Sequence, residues 1–214
     1  MTIRIGRIAR DADDVCMQLL DELRREHDLI DRLLGSLLTL PPADDALAMI
    51  EIFETYAGGW HHEREEGLLF PALRAASLPE QGPLAVLSND HRAMAATLQA
   101  MRASVGTEAF AQHAQAYARA LWPHIDAENS VLFPESEIQL RRELPTPEAP
   151  AAVREATARA EELIARYPGR VPADVVRGDG CVVCPSYGDA CGGIEREWWN
   201  EWEWEELSER VAGA

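Results

Sequence analysis

The amino-acid sequence predicts an all-α protein, an antiparallel up-down-up-down four-helix bundle followed by a C-terminal extension that contains helix and cysteines. Apolar residues recur at three- and four-residue spacing throughout residues 12–142, a period typical of amphipathic helices. Strand patterns are nearly absent. The breaks between the periodic stretches are short, and short connections favour antiparallel neighbours in a bundle.

Turn-forming residues divide this region into four helices, at about 12–40, 44–76, 83–104 and 107–140. Pro41-Pro42 ends the first helix, and residues 77–83, which include two prolines and a glycine, end the second. Gly106-Thr107 separates the third helix from the fourth and offers a cap for the helix that follows.

The character of the chain changes after these helices. A proline-rich linker, LPTPEAP, occupies residues 144–150, and a short amphipathic helix is predicted near residues 150–167. An aperiodic loop, the segment CVVCPSYGDACGG and an acidic, tryptophan-rich stretch with a helical pattern follow. We therefore divide the chain into a bundle domain of residues 1–145 and an extension of residues 146–214.

The charge balance limits the possible partners. The chain has 20 basic and 37 acidic side chains, a formal net charge of −17, which repels nucleic acid and anionic membranes. No stretch approaches the roughly 18–20 apolar residues that cross a bilayer, and the N-terminus lacks the apolar core of a secretion signal. Three of the four cysteines cluster in one short segment instead of forming a spread disulfide framework. These features predict a cytoplasmic protein with no membrane or nucleic-acid partner.

The bundle region contains an internal repeat. Residues 61–71, HHEREEGLLFP, align without a gap with residues 124–134, HIDAENSVLFP. Upstream of each segment lies a matching acid–histidine pair, Glu26-His27 or Asp90-His91, at a separation of 34 or 33 residues between the histidines. The repeat predicts that one helix pair is used twice, with an approximate two-fold axis between the halves.

Each half of the repeat carries a histidine and a glutamate four residues apart, which places both on one face of a helix. A lone buried histidine is usually a hydrogen-bonded core residue, and a single His-x-x-x-Glu pair is often a surface contact. The duplication of the pair within an aligned segment favours metal binding instead. Imidazole with carboxylate suits iron, manganese or zinc. The predicted ligands are His27, His61, Glu65, His91, His124 and Glu128.

These motifs resemble the hemerythrin-like, HHE-type cation-binding family over roughly residues 20–140. The pattern is EH in the first helix, HHxxEExLLFP in the second, DH in the third and HxxxENxLFP in the fourth. The resemblance implies a four-helix bundle with a non-haem site of two iron ions, bridged by the two glutamates and a solvent-derived oxygen. By position, the six residues above are its ligands.

The resemblance also raises the question of a fifth histidine. Oxygen-carrying members of the family have five histidine ligands, whereas the motif positions here supply four. His62 is the natural candidate, but on an α-helix it is turned by about 100° from His61, so it is also interpreted as a neighbour of the ligands or a surface residue. His113 lies about three turns before His124, too far along the helix to share the site.

Several residues near the motifs have predicted supporting roles. The acids Glu26, Glu66 and Asp90 either orient ligand imidazoles or lie on the helix surface. The Gly58-Gly59 pair would leave space in the core, and Pro123 should kink the fourth helix. Tyr117 has two interpretations: its hydroxyl points towards the metals, or its side chain only packs in the core. The two LFP segments are interpreted as core followed by a helix-terminating turn.

The extension has its own candidate site. Cys181, Cys184 and Cys191 form a CxxCx₆C pattern, which indicates a structural zinc site, a redox-active thiol pair or unligated thiols. A zinc site needs a fourth ligand, from Cys16, Asp189 or another chain. The tryptophans that follow are expected to dock the tail against the bundle or a second subunit, or to form a partner-binding face. They are Trp198, Trp199, Trp202 and Trp204.

Three functions are compatible with these features. The first is a di-iron protein that binds O₂ or a related small ligand for sensing, storage or delivery, favoured because the site is rich in histidine and poor in carboxylate. The second is a di-iron oxidoreductase that reduces peroxide or NO with help from the C-terminal thiols. The third is an iron-handling or iron-sensing protein whose tail reports metal loading to a partner.

Overall fold

A computed structural model describes residues 17–78, 82–140 and 144–169, and all regular structure in these ranges is helical. The first and third helices of the bundle are single α-helices, namely α1 (Met17–Leu37) and α4 (Pro83–Ser104). The second and fourth helices join α-helical and π-helical segments end to end. The segments of the second are α2 (Ala43–Ile52), π1 (Phe53–His62), π2 (Glu65–Leu69) and α3 (Phe70–Ala75). Those of the fourth are α5 (Ala109–Ala127), π3 (Glu128–Leu132) and α6 (Phe133–Gln139). A further helix, α7 (Ala151–Arg166), follows the linker.

The helix boundaries follow the predicted turn chemistry. Leu40 adopts a left-handed φ of 57° directly before Pro41, and the proline has no N–H with which to continue a helix, so the chain leaves the first helix here. Gly106, between the third and fourth helices, has a φ of 82°, which glycine adopts without steric cost. Pro83 begins α4, where its missing N–H costs no helical hydrogen bond. The all-α prediction is therefore confirmed, and the predicted bounds agree within a few residues wherever the structure describes them.

The π-helical segments were not predicted. Each π-helix has hydrogen bonds from residue i to residue i+5 and is wider than an α-helix, and short π segments are frequent at functional sites. π2 begins at Glu65 and π3 begins at Glu128, the two equivalent glutamates of the repeat. The internal symmetry of the sequence thus extends to the local backbone.

Two hydrophobic clusters fill the interior of the described structure. One contains Leu29 to Leu37 of α1, residues from α2 and π1, and the apolar side chains of α7. The other contains Leu19, Leu20 and Leu23 of α1 and both LFP phenylalanines. On each bundle helix the predicted ligands lie where the residues of one cluster end and those of the other begin. A polar layer therefore separates two apolar cores.

Helix α7 packs on the bundle. Its residues Val153, Ala160 and Leu163 are buried in the first cluster. On the surface of the contact, Arg32 of α1 donates a 2.9 Å hydrogen bond to Glu161, and the Tyr167 hydroxyl donates one of 2.6 Å to Asp45. The amphipathic helix predicted near residues 150–167 is present. The domain division at residue 145 stays a prediction.

The cysteine segment and the tryptophan-rich stretch lie outside the described residues, as do Cys16 and Asp189. Within the described ranges, no helix is both long and apolar enough to cross a membrane.

Candidate metal centre

All six predicted ligands converge in the polar layer between the two apolar cores. Each is at most 6% exposed, and both glutamates are fully buried. Burying ionisable side chains at this density is costly unless they are paired or bind a metal ion. The residues are His27, His61, Glu65, His91, His124 and Glu128.

The converging side chains form two groups whose donor atoms lie within 4.8 Å of one another. The first donor group is His27, His61, Glu65 and Glu128. The second donor group is His62, Glu65, His91 and His124. Glu65 belongs to both groups, so the groups adjoin one another and share a carboxylate.

Both glutamates reach across the two donor groups. Glu65 places Oε1 3.4 Å from Nε2 of His61, in the first group, and Oε2 3.5 Å from Nε2 of His91, in the second. Glu128 repeats this arrangement, with Oε2 3.2 Å from Nε2 of His27 and Oε1 3.2 Å from Nε2 of His124. Each carboxylate therefore offers one oxygen to each group, which is the arrangement that bridges two cations.

The inner atoms fit a metal ion because they have no other partner. Nε2 of His27 and of His61 and both oxygens of Glu65 and of Glu128 are buried without a hydrogen bond. Nε2 of His91 and Nε2 of His124 face one another at 3.0 Å. Two imidazole lone pairs at this distance repel unless a proton or a cation lies between them. The donor set thus matches a cation chemically as well as in geometry.

The outer nitrogens of the histidines face a second set of polar side chains, which we call the outer ring: Glu26, Glu66, Asp90 and Asn129. Nδ1 of His61 lies 2.9 Å from Glu26, and Nδ1 of His91 lies 2.7 Å from Glu66. An acceptor at Nδ1 selects the tautomer that carries the proton there and directs the Nε2 lone pair inward.

The other half of the repeat completes the ring. Nδ1 of His27 lies 3.0 Å from Oδ1 of Asn129, whereas Nδ1 of His124 lies 3.6 Å from Asp90, beyond hydrogen-bond length. Each bundle helix supplies an acceptor that faces the histidine of the next helix, and the fourth helix supplies one for the first. The outer ring therefore connects all four helices around the donor atoms.

The electrostatics of the layer are strongly perturbed. Burial lowers the pKa of His61, and the neighbouring His27 lowers it further. Burial together with Glu128 raises the pKa of Glu65 well above its usual range. Burial by itself would lower the pKa of His124, but the carboxylates of Glu128 and Asp90 outweigh it and raise the pKa to about 9. Strong shifts of this kind are concentrated at functional sites.

His62 joins the second donor group. Its ring stacks on that of His91 with centroids 3.8 Å apart and lies 5.7 Å from the ring of His124. His62 ends π1, in which successive residues turn by less than the roughly 100° of an α-helix, so His61 and His62 both face inward. The angular separation expected for an α-helix therefore does not apply here.

The other predicted residues have varied outcomes. The interpretation of the LFP segments as helix ends is wrong, because Pro71 and Pro134 lie in the first turns of α3 and α6 and the helices continue. Their phenylalanines do line the centre: Phe133 stacks on His27 at 5.4 Å, and Phe70 stacks on His91 at 6.1 Å. His113 lies away from the donor groups and hydrogen-bonds Ser104.

The remaining predictions concern space in the core. Gly58 lines a cavity beside the second donor group, whereas Gly59 is exposed. Tyr117 lines the same cavity, is fully buried and contacts the Phe53 ring at 5.3 Å. Pro123 lies within α5, one residue before His124.

Two functional features escaped the sequence analysis. Asn129 occupies the position of Glu66 in the repeat, and comparing the aligned segments for polar residues after the glutamate identifies it. Arg64 is 4% exposed, ion-paired to Glu22 and Glu26 and 4.3 Å from the Trp60 ring centroid. The sequence does not indicate that Arg64 is buried, because a charged residue between Glu63 and Glu65 is typical of an exposed helix face.

Comparison with known proteins supports the same conclusion as the geometry. Neither the curated proteins nor the solved structures that were compared with the chain gave a significant match. The model of the family described as "Hemerythrin HHE cation binding domain" matches residues 18–136, more than half of the chain. The chain thus belongs to the hemerythrin HHE cation-binding domain family, as its motifs predicted.

Proposed function

We propose that this cation-binding helical protein holds two non-haem iron ions, one in each donor group, and binds O₂ or a related small ligand there for sensing, storage or delivery. One observation carries the proposal: Glu65 and Glu128 each present one oxygen to each donor group. A carboxylate shared in this way holds two cations next to one another.

The proposed ligands follow from the inward-facing atoms. His27 and His61 would hold the first ion, His91 and His124 would hold the second, and the two glutamates would be shared between them. We include His62 as a fifth histidine, because it lies in the second donor group and its ring stacks on that of His91. Imidazole and carboxylate donors suit iron, manganese and zinc, and the family resemblance selects iron.

Bound iron would supply reversible electron exchange with a small ligand. The chain contributes orientation and exclusion of water. Glu26, Glu66 and Asn129 hold the outer nitrogens of three histidines, which fixes the direction of their inner lone pairs. Phe70 and Phe133, both fully buried, shield the histidines from water. Only two carboxylates lie among the inner donors, which favours ligand binding over oxidative chemistry.

A second candidate is iron handling or iron sensing. The buried layer leaves the carboxylate oxygens of two glutamates and three imidazole nitrogens without hydrogen bonds, and metal at the inward-facing atoms would relieve much of this cost. Loading would then stabilise the bundle. Reduction of peroxide or NO with help from the C-terminal thiols remains our third candidate.

Further proposals concern the whole molecule. The alternating order of the two hydrophobic clusters along successive helices supports the up-down-up-down topology. A zinc ion at the cysteines, docking of a homodimer or protein partner through the tryptophan-rich tail, and a cytoplasmic location rest on the sequence alone.

The experiment that separates these functions begins with metal analysis of protein purified without chelators. The reduced, iron-loaded protein is then exposed to O₂, followed by absorption spectroscopy and degassed. An absorption change that reverses on degassing supports ligand binding. Irreversible oxidation with catalytic consumption of peroxide supports the enzyme instead, and protein without any transition metal contradicts all three functions.

A further inference from the structure

Arg64 is a buried cation next to Glu26 of the outer ring. It lies between π1 and π2 in the second helix and is only 4% exposed, a burial that arginine rarely reaches unless it is paired. Its guanidinium donates a 3.0 Å hydrogen bond to Glu22, forms an ion pair with Glu26 and lies 4.3 Å from the centroid of the Trp60 ring. Two acids of α1 and one aromatic ring therefore surround the charge.

Glu26 uses its two carboxylate oxygens for different partners. Oε1 accepts a 2.8 Å hydrogen bond from Nε1 of Trp60 and pairs with the guanidinium of Arg64. Oε2 lies 2.9 Å from Nδ1 of His61. A glutamate side chain rotates about several bonds, so contacts at Oε1 are needed to keep Oε2 directed at the imidazole. Arg64 and Trp60 thus fix the carboxylate that faces His61.

The ring proton of neutral His61 has two carboxylates as competing acceptors. Glu26 lies on the outer side, 2.9 Å from Nδ1, and Glu65 lies on the inner side, with Oε1 3.4 Å from Nε2. A neutral imidazole carries its proton on one nitrogen only. A metal ion binds Nε2 only when the proton is on Nδ1, so the orientation of Glu26 decides whether the inner nitrogen is ready for the metal.

The other half of the repeat lacks this support. The repeat positions that correspond to the arginine, the tryptophan and Glu22 hold residues without a side-chain donor or a charge, namely Ala127, Pro123 and Val86. Nδ1 of His124 lies 3.6 Å from Asp90, beyond hydrogen-bond length, and is buried without a hydrogen bond. The Asp90 side chain is 43% exposed, whereas that of Glu26 is 11% exposed. The supported acid is thus buried and close to its histidine, and the unsupported acid is exposed and farther away.

Net stability does not account for a buried arginine at this position. The cost of removing the charges from water offsets much of the attraction within a buried ion pair, and well-packed apolar replacements are often as stable. An arginine adds direction instead, because its planar guanidinium presents five N–H donors in a fixed arrangement. Contacts of one such group with both Glu22 and Glu26 are suited to holding a carboxylate in place.

We propose that Arg64 is a positioning residue of the first donor group: it holds Glu26 in the orientation that keeps the His61 proton on Nδ1 and leaves Nε2 free for the metal. The inference rests on the proposed metal-binding function and adds to it a cation outside the ligand set. Trp60 supports the same oxygen of Glu26. Because the second donor group has no such support, Arg64 acts on one of the two metal positions only.

The first test reads the tautomer of His61 in the metal-free, full-length protein by long-range ¹H–¹⁵N NMR correlation. In the parent protein Nδ1 of His61 should carry the proton. In Arg64→Gln the proton should be shared between Nδ1 and Nε2, which moves the two ¹⁵N resonances of this ring towards each other. His91, whose acceptor is Glu66, is the control within the same spectrum and should not change.

The second test measures metal affinity, with Fe²⁺ loaded in the absence of oxygen and released by graded chelator concentrations. Loss of a contact that orients a ligand imidazole typically costs about 10–100-fold in metal affinity, and we expect a loss in this range for one of the two ions in Arg64→Gln. Arg64→Lys keeps the positive charge and should restore part of the affinity. Arg74→Gln, at an exposed position of the same bundle helix, is the matched control and should release both ions as the parent does.

A double-mutant cycle distinguishes positioning from general support of the fold. If Arg64 acts through Glu26, Arg64→Gln should cause little further loss of affinity in protein that already carries Glu26→Gln. Losses that multiply would mean that the two residues act independently, and would overturn the proposal.

A gentler variant keeps the proposal testable if Arg64→Gln does not fold. Trp60→Phe removes the indole donor to Glu26, keeps an aromatic ring at that position and should move the His61 resonances in the same direction. Unchanged His61 resonances in both Trp60→Phe and Arg64→Lys would overturn the proposal.

The outcomes separate this inference from the proposed function. If the parent protein binds no metal, the proposed function fails, whereas a shift of the His61 resonances in Arg64→Gln would still support the positioning of Glu26 by Arg64. If the parent binds two iron ions and Arg64→Gln changes neither the resonances nor the chelator titration, only the role of Arg64 is overturned. Equal losses at both metal positions would mean that Arg64 supports the fold as a whole, and would overturn its assignment to the first donor group.

Discussion

Oδ1 of Asn129 lies 3.0 Å from Nδ1 of His27, at the repeat position where Glu66 approaches Nδ1 of His91 to 2.7 Å. One half of the centre thus has a neutral amide where the other half has a carboxylate. A carboxylate acceptor raises the basicity of the imidazole more than an amide does. The two donor groups are therefore related in geometry but differ in electronic character.

Replacing Asn129 by Ala should weaken metal binding at the first donor group. The His27 ring loses the acceptor that fixes its tautomer, and loss of such a contact typically costs about 10–100-fold in metal affinity. Metal analysis after dialysis against graded chelator concentrations measures the change. Asn129→Asp, which keeps an acceptor oxygen, should restore most of the affinity, and Ser130→Ala, at an exposed neighbouring position, should have no effect. Equal affinities for Asn129→Ala and the parent protein would show that His27 needs no such support.

Replacing Glu65 by Ala should remove much of the metal from both donor groups, because its two oxygens face one group each. Glu128→Ala should behave alike, since its oxygens are divided in the same way. Metal stoichiometry of the purified variants is the measurement. The control is Glu63→Ala, an exposed glutamate two residues away. Retention of full metal content by Glu65→Ala would falsify the bridging assignment.

Replacing His62 by Ala should affect the second donor group selectively. We expect one of two bound ions to dissociate at a lower chelator concentration, while the other, held by His27 and His61, stays bound. His113→Ala is the matched control, because His113 bonds Ser104 away from the centre. If both ions dissociate together at the parent chelator concentration, His62 is not a ligand.

Metal loading should release protons. In the metal-free protein the carboxylates of Glu128 and Asp90 raise the pKa of His124 to about 9, although burial opposes them. Below that pH an incoming ion must displace the proton from this imidazole, so apparent metal affinity should fall as pH decreases from about 9 to 7. The proton of Glu65, whose pKa is also raised, adds to the effect. Calorimetric titration at pH 7 in two buffers with different protonation enthalpies counts the protons, and a count of zero would contradict this electrostatic account.

The raised pKa of His124 also makes the folding stability of the metal-free protein depend on pH. A histidine whose pKa is raised on folding contributes stability below its unfolded pKa of about 6.5, and this contribution is lost as the pH rises through about 9. His61 and His62 change the folding stability in the opposite direction with pH, because burial and neighbouring histidines lower their pKa values in the folded protein. Their contribution is lost as the pH falls through their unfolded pKa.

Replacing Leu163 by Ala should destabilise the whole bundle. Leu163 is fully buried in the first hydrophobic cluster, and truncation of a buried leucine costs about 2–5 kcal/mol. Denaturant unfolding of the metal-loaded protein measures the loss, with the exposed Glu155→Ala on the same helix as the control. An unchanged midpoint would indicate that α7 is independent of the bundle and would support the domain division at residue 145.

The sequence predicted which side chains converge in the polar layer, because the motifs that carry them are repeated. A His-x-x-x-Glu pair is ambiguous alone, but the aligned segments 61–71 and 124–134 identified both pairs. The matching acid–histidine pairs upstream of them identified the histidines of the other two helices. The same alignment contains Asn129, whose role becomes evident only when the helices are assembled and His27 lies next to it.

The errors arise from assuming one helical period throughout. The inward direction of His62 depends on π1, and the continuation of the helix past Pro71 and Pro134 follows π2 and π3. Apolar periodicity does not distinguish a π segment from an α segment over five to ten residues. The cavity beside Tyr117 was not predictable for another reason: it is formed by residues from three helices, and its volume depends on how they pack.

The outer ring has a consequence for the lifetime of the protein. Because the donor residues come from all four helices and three hydrogen bonds of the outer ring join neighbouring helices, release of the metal should loosen the four helices together. A chain of this kind is exposed to proteases in proportion to its metal-free fraction, since proteolysis follows the population of the open form. The supply of metal would then control the abundance of the protein as well as its occupancy, and scarcity would remove the empty molecules by turnover.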